Sequence, residues 1–359
     1  MQKNKLPKRL FCLLLMFGFL WINSGEMWKH ILPLKTAAGS TSKMKCVEGK
    51  GECVMEMSSR RILYASNSEL PLPMASTTKI VTAATVLDTC SNLQETISIP
   101  KEAVGIEGSS VYLKENDRYT VEDLLYGLML RSGNDCAMAL ALHCGKTKEN
   151  FSKFMNITAQ KAGALNSNFT NPHGLPQTEH YTTAQDLCYI TCYAMENPIY
   201  RQIVSTTYYR PYNWKNKNKM LTIYEGANGG KTGYTKEAGR CLVSTAERDN
   251  MSLVCTVLNC STTYERSTEL LDDAFLNYKY VQIITENEAF NIKSDGKEYV
   301  GYAKQNFSYP LLEDERSLLE IKTYPIKNNN KHIKKDEIIG QFEIYLAKRL
   351  LFSGNLYKL

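Results

Sequence analysis

Three short polar motifs, widely separated along the chain, place the strongest constraint on its fold. They are Ser76 to Lys79 (STTK), Ser132 to Asn134 (SGN) and Lys231 to Gly233 (KTG), in that order. Each motif contributes hydroxyl, amine or amide side chains, which enzymes use as nucleophiles, bases and substrate anchors. If the three motifs serve one site, the fold must bring their segments together in a single cleft.

The first motif lies at the start of a predicted helix. Residues 77–87 contain no glycine or proline and carry apolar residues at helical intervals. Positions i and i+3 of a helix share one face, so the Ser76 hydroxyl and the Lys79 amine should lie within reach of each other. Lysine can take the serine proton only if burial or positive charge lowers its pKa far below about 10.4, and Lys231 is the predicted second cation. The spacing therefore indicates a nucleophile beside its base.

The second motif lies in a predicted turn between two helices. Thr120 begins a capped helix, the apolar run 124–130 continues it and Gly133 ends it, so that a new helix can start at Asn134. Ser132 and Asn134 would then face a cleft, where a hydroxyl can pass a proton to a leaving amine and an amide can hold a peptide bond.

The third motif precedes a predicted β-hairpin. Two β-type runs, 240–246 and 251–258, are joined at residues 248–250. The glycines that flank Lys231 would let a substrate backbone approach an edge strand closely. The Lys231 amine and the Thr232 hydroxyl suit a terminal carboxylate.

Together with their order and surroundings, these motifs resemble those of the low-molecular-mass penicillin-binding proteins that act as serine-type D-Ala-D-Ala carboxypeptidases. The resemblance covers most of the chain after about residue 45, and its main segments are residues 74–83, 128–137, 171–176, 180–187 and 229–251. It implies an α+β fold, in which an antiparallel sheet and a helical cluster enclose the active site and a small all-β domain follows.

The resemblance also implies a role for each motif residue. Ser76 would attack the carbonyl between two terminal D-alanines, Lys79 would be the general base and Ser132 would assist proton transfer. The backbone amides of Ser76 and Tyr234 would form the oxyanion hole. The expected partners are peptidoglycan stem peptides ending in D-Ala-D-Ala, with β-lactams as inhibitors that acylate Ser76, and no cofactor is expected. The predicted substrate-binding residues are Asn134, Lys231, Thr232, Gly233 and Tyr234.

Length and pattern predict two domains after an amino-terminal leader. Residues 45–278 form the predicted catalytic domain, in which strands at both ends flank a cluster of helices. Residues 281–359 carry mainly β-type runs and form the predicted β domain.

The leader, residues 1–38, has the pattern of an export signal. Four basic residues precede the apolar run 10–22, which has the length of a signal-peptide core and is shorter than the ~20 residues of a spanning helix. We therefore expect an exported protein at the outer face of the cytoplasmic membrane or in the cell wall. Signal cleavage and retention as a membrane anchor both stay open.

Charge and cysteine content narrow the possible partners further. Residues 1–38 hold six Lys/Arg and one Glu, so their removal lowers the net charge from +6 to about +1, and no nucleic-acid surface is indicated. The basic run 327–335 is interpreted as a solvated loop, with contact to anionic lipid or wall polymer as the alternative. Most of the eleven cysteines lie in apolar runs and are interpreted as small buried hydrophobes, without metal-site spacing. Cys46 and Cys53 are close enough in sequence to suggest a local disulfide.

Three other functions stay open from the sequence alone. A serine β-lactamase shares the Ser-Lys and KTG motifs, but it has SDN where this chain has SGN, and it needs a second carboxylate to activate a deacylating water. A catalytically silent penicillin-binding scaffold would keep the fold without the chemistry. An endopeptidase acting on cross-linked peptides would differ only in its products.

Overall fold

Helices and strands occur in blocks along the chain. The computed structural model describes residues 48–294, 297–326 and 334–359. The helices of these ranges are α1 (Lys79–Thr89), α2 (Val121–Leu130), α3 (Asn134–Gly145), α4 (Lys148–Ala162), α5 (Ala184–Glu196), α6 (Pro198–Ser205), α7 (Met220–Ile223) and α8 (Thr263–Asn277). The strands are β1 (Gly51–Glu56), β2 (Ile62–Ser66), β3 (Thr96–Ser98), β4 (Arg118–Thr120), β5 (Tyr208–Tyr209), β6 (Trp214–Lys215), β7 (Ala227–Thr235), β8 (Gly239–Arg248), β9 (Met251–Leu258), β10 (Lys279–Ile284), β11 (Ala289–Ser294), β12 (Lys297–Ala303), β13 (Phe307–Leu311), β14 (Leu319–Pro325), β15 (Ile338–Leu346) and β16 (Arg349–Lys358).

The central sheet is antiparallel and has the strand order β2-β1-β9-β8-β7. The predicted hairpin joins β8 to β9 through Asp249 and Asn250, whose φ angles of 49° and 63° suit a tight hairpin turn. β1 pairs with β9, so the sheet combines strands from before and after the helical cluster. β7, which carries the KTG motif, lies at an edge of the sheet.

Helices cover both faces of this sheet. Cys53 and Val54 of β1 are adjacent and belong to different hydrophobic clusters, as the alternation of side chains along a strand requires. The larger cluster contains the buried face of α1, and the smaller one contains Leu270 and Leu271 of α8. The predicted α+β fold is confirmed, and the helical cluster packs on the sheet through α5 against β1 and β9 and through α6 against β7.

The carboxyl-terminal part is an all-β domain with a core of its own. Its main sheet has the order β11-β12-β16-β15-β14, and β10 pairs with β13 beside it. Ile284, Phe342 and Leu356 are buried in this core. The predicted β-type runs are strands here, whereas the boundaries 45–278 and 281–359 stay predictions.

Several sequence predictions lie outside the described ranges. These are the export signal (1–38), the Cys46 partner of the suggested disulfide and most of the basic run 327–335. Over the ranges that are described, none of the helices combines the length and the apolar character needed to cross a membrane.

Candidate active site

Ser76 lies in a 3₁₀ turn that precedes the α-helix. The turn spans Ala75–Thr78 and α1 begins at Lys79, two residues after the predicted start. Ala75 has a φ of 51°, an uncommon conformation for a residue with a side chain. Gly174 packs against this turn so closely that a Cβ at that position would overlap the Ala75 carbonyl oxygen. Tertiary packing thus holds a strained turn that presents the half-buried Ser76.

Lys79 is fully buried at the first position of α1 and has three polar neighbours. Its Nζ lies 2.9 Å from the Ser76 Oγ, and it donates to the Asn134 Oδ1 at 2.6 Å and to the His173 carbonyl at 2.7 Å. Burial, and secondly the charge of Lys231, hold the pKa of Lys79 well below its usual range. The amine therefore favours the neutral state that a general base requires.

Lys231 joins the third motif to the second. The backbone of Ser132 has a φ of 63° in the turn between α2 and α3. Lys231 Nζ donates to the Ser132 Oγ at 3.0 Å and to the Thr232 carbonyl at 2.8 Å. Burial, and secondly the charge of Lys217, lower the pKa of Lys231 to about 7. The structure thus brings all three predicted motifs into contact at one place.

β7 lies directly against the turn that carries the nucleophile. A Cβ at Gly233 would be 2.9 Å from the Met74 carbonyl oxygen and 3.1 Å from the Ser76 amide nitrogen, so glycine permits this approach. Thr232 is half-buried, and the Tyr234 side chain is 66% exposed. The Tyr234 side chain is therefore largely in solvent and does not pack into the core.

Hydrogen bonds attach the loop of residues 107–113 to the SGN motif and to Asp135, which follows it. No sequence motif indicated that this loop lies beside the site. The Asn134 amide group donates to the Glu107 carbonyl, while its oxygen receives the Lys79 hydrogen bond. Asp135 is buried and accepts hydrogen bonds from three groups of the loop, namely the Ser110 hydroxyl and the backbone amides of Val111 and Leu113. Asp135 therefore positions the loop and the motif together.

Two buried histidines organise the loop of residues 170–180, which contacts Lys79 through the His173 carbonyl. His173 Nδ1 accepts from the Leu175 amide at 3.2 Å, and His180 Nδ1 accepts from the Thr170 amide at 3.0 Å. His180 Nε2 then donates to the Thr78 hydroxyl at 3.0 Å. Burial lowers the pKa of His173 to about 3 and that of His180 to about 4, so both are neutral at pH 7. Both side chains support the loop through these hydrogen bonds, and the His173 carbonyl is a partner of Lys79 that the sequence motifs did not reveal.

Lys217 is a further residue near the site that the sequence motifs did not predict. It precedes α7, and its amine donates to the Ser109 hydroxyl at 3.1 Å. Its charge lowers the pKa of both Lys231 and Lys79. Because Lys217 is exposed, water and salt screen this effect, and burial remains the main cause.

Comparison with known proteins agrees with this geometry. A family model described as D-alanyl-D-alanine carboxypeptidase matches residues 38–262, which is more than half of the chain. The chain belongs to the D-alanyl-D-alanine carboxypeptidase family. It is therefore a serine-type carboxypeptidase, as the motifs indicated, and the β-lactamase and scaffold alternatives are not favoured.

Individual relatives support the membership in this carboxypeptidase family. DacF of Bacillus subtilis, a D-alanyl-D-alanine carboxypeptidase, is 31% identical over 81% of this chain and 77% of its own length. A D-alanyl-D-alanine carboxypeptidase of Streptomyces sp. (strain K15) is 35% identical over 55% of this chain and 75% of its own length. Penicillin-binding protein 5 from Haemophilus influenzae has a similar structure, with a TM-score of 0.75, 26% identity and coverage of 89% of this chain and 98% of that one.

Proposed function

We propose that this carboxypeptidase removes the terminal D-alanine from peptidoglycan stem peptides through an acyl-enzyme on Ser76. The environment of Lys79 is the observation that carries the proposal. A neutral amine has two N–H donors and one lone pair, and the carbonyl oxygens of the Asn134 side chain and the His173 backbone take the two donors. The lone pair is then left for the Ser76 hydroxyl, 2.9 Å away.

Acylation follows from this arrangement. Lys79 takes the Ser76 proton as the oxygen attacks the carbonyl between the two D-alanines. The negative charge that develops on the carbonyl oxygen is stabilised by the backbone amides of Ser76 and Tyr234, which the packing of Gly233 keeps close together. The C–N bond then breaks, and the departing amine takes a proton through the Ser132 hydroxyl, which Lys231 holds.

The same residues account for substrate binding and for turnover. The Lys231 amine and the Thr232 hydroxyl bind the terminal carboxylate, and Asn134 holds the peptide bond next to it. After D-alanine leaves, water attacks the acyl-enzyme and Lys79 again accepts the proton. A β-lactam offers the same carbonyl and carboxylate, so it acylates Ser76 as well.

We place this reaction outside the cytoplasmic membrane, because residues 1–38 have the pattern of an export signal.

Release of D-alanine from a pentapeptide ending in D-Ala-D-Ala tests the proposal. The full-length protein should release it, and Ser76→Ala should lower kcat/KM by at least about 10³-fold while its circular dichroism stays that of the wild type. A cross-linked peptide dimer serves as the second substrate. Cleavage of the dimer without D-alanine release would replace the proposal with endopeptidase activity, and a folded wild type that cleaves neither would refute both.

A further inference from the structure

Two cysteines meet where α1 and α3 end, on the side of these helices away from the catalytic motifs. Cys90 directly follows α1, and Cys144 lies in the last turn of α3. Their sulfur atoms are 2.6 Å apart. Non-bonded heavy atoms pack best at about 3.5–4.0 Å, and a disulfide bond is about 2.05 Å long. The two thiols are therefore already much closer than ordinary contact.

Solvent access distinguishes these two thiols from the other described cysteines. Cys90 and Cys144 are partly exposed, so a small oxidant can reach them. The remaining cysteines of the described ranges are all buried, namely Cys53, Cys136, Cys188, Cys192, Cys241, Cys255 and Cys260. These seven are buried, as the sequence interpretation expected of most cysteines, whereas Cys144, which shared that interpretation, and Cys90 are only partly buried.

We propose that Cys90 and Cys144 form a redox-dependent disulfide that clamps the carboxyl-terminal ends of α1 and α3. The amino-terminal ends of the same helices carry Lys79 and Asn134, which meet through the 2.6 Å hydrogen bond of the active site. The disulfide would thus tie together, at their far ends, the two helices that position the base and its partner.

The local electrostatics decide which sulfur reacts first. The hydrogen bond between the two thiols lowers the pKa of Cys90 and raises the pKa of Cys144. Lys146, at the end of α3, adds a positive charge that lowers the pKa of both. Cys90 is therefore the better thiolate and the expected nucleophile.

The oxidant is a small disulfide such as oxidised glutathione. The Cys90 thiolate attacks one sulfur of that disulfide, forms a mixed disulfide and releases one thiolate. The Cys144 thiol then loses its proton and attacks the Cys90 sulfur, which releases the second small thiol. Two protein thiols are oxidised, one small disulfide is reduced to two thiols, and one protein S–S bond forms.

Peptide mapping tests the bond in the full-length protein equilibrated in glutathione buffers, quenched with an alkylating agent and digested without reduction. Oxidising buffer should yield the Cys90 and Cys144 peptides as one linked species, and dithiothreitol should return both as alkylated single peptides. Cys90→Ser and Cys144→Ser are the matched controls and should give no linked species. Free thiols, or a separate glutathione on each peptide in oxidising buffer, would overturn the proposal.

Thermal unfolding tests the clamp itself. The bond would close a loop between residues 54 positions apart, so oxidation should raise the Tm of the wild type by roughly 5–10 °C. The Tm of Cys90→Ser should be the same in oxidising and reducing buffer. Equal Tm values for the linked and reduced wild type would refute the clamp.

Discussion

At the scale of single residues, the site depends on two buried amines whose pKa values both lie below their ordinary range. Burial lowers the pKa of both Lys79 and Lys231, and the charge of Lys231 lowers that of Lys79 further. In the proposed mechanism, the first amine must be neutral to take a proton, and the second must be charged to bind a carboxylate. The pair therefore works only in a limited pH range.

The opposite protonation states that the two amines need predict a bell-shaped pH profile for acylation. The rate should rise with pH as Lys79 loses its proton at its depressed pKa, and it should fall above about pH 7 as Lys231 loses its own. The measurement is the second-order rate constant for acylation of Ser76 by a fluorescent penicillin between pH 5 and 9.

Lys231→Arg separates the two limbs of that profile. Arginine stays charged throughout this range, so the variant should keep the rising limb and lose the falling one, even if its overall rate is lower. A wild-type rate that is constant from pH 7 to 9 would show that the proton on Lys231 does not limit carboxylate binding.

At the scale of secondary-structure elements, the site is the junction of an edge strand with the turn that precedes α1. Edge strand β7 approaches that turn at Gly233, where even a Cβ would be too close to backbone atoms. The oxyanion hole that we propose requires both backbones, so its geometry depends on this spacing.

Gly233→Ala should therefore impair chemistry more than folding. The added methyl group would push β7 away from the Ser76 amide by a few tenths of an ångström, and the acylation rate by penicillin should fall about 10–100-fold.

Gly163→Ala is the matched control for this change. Gly163 ends α4 with a φ of 91°, and a methyl group added there would meet no other atom within 4 Å. Alanine should therefore cost about 1 kcal/mol of stability through its backbone conformation and leave acylation unchanged. Equal acylation rates for the two variants would contradict the importance of the β7 approach.

At the scale of the whole molecule, Arg61 connects the central sheet to the β domain. It immediately precedes β2, and its guanidinium donates to the Pro310 carbonyl at 2.6 Å and to the Glu315 carboxylate at 2.5 and 2.9 Å. The same group lies over the rings of Tyr278 and Tyr309. Because Arg61 is 7% exposed, solvent screens these contacts little.

Arg61→Met should loosen the β domain and leave the active site intact. The variant leaves the Glu315 carboxylate without its cation at a cost of about 3 kcal/mol, so calorimetry should show a component that unfolds at lower temperature while penicillin acylation is unchanged.

Arg60→Met is the neighbouring control. Arg60 pairs with Glu196, whose side chain is 67% exposed, so its loss should cost less than about 1 kcal/mol. Equal destabilisation by both variants would refute the inference that Arg61 in particular holds the β domain to the central sheet.

The proposed chemistry and most of the elements could be predicted from the pattern of residues. The order of the three motifs indicated a serine nucleophile with a lysine base, because an i, i+3 pair at a helix start and a cationic edge strand are local features. The Thr120 cap, the new helix at Asn134 and the β8-β9 hairpin were predicted for the same reason, since caps and turns depend on neighbouring residues.

The groups that surround the motif residues became apparent from the folded chain. The His173 carbonyl that binds Lys79, the Asp135 carboxylate that holds the 107–113 loop and the Cys90–Cys144 pair all depend on contacts between segments far apart in the chain. A backbone carbonyl leaves no trace in residue type, and the pKa of a lysine depends on burial that only packing creates. The residue pattern therefore identified the side chains that we propose to react, and the fold sets their burial and spacing.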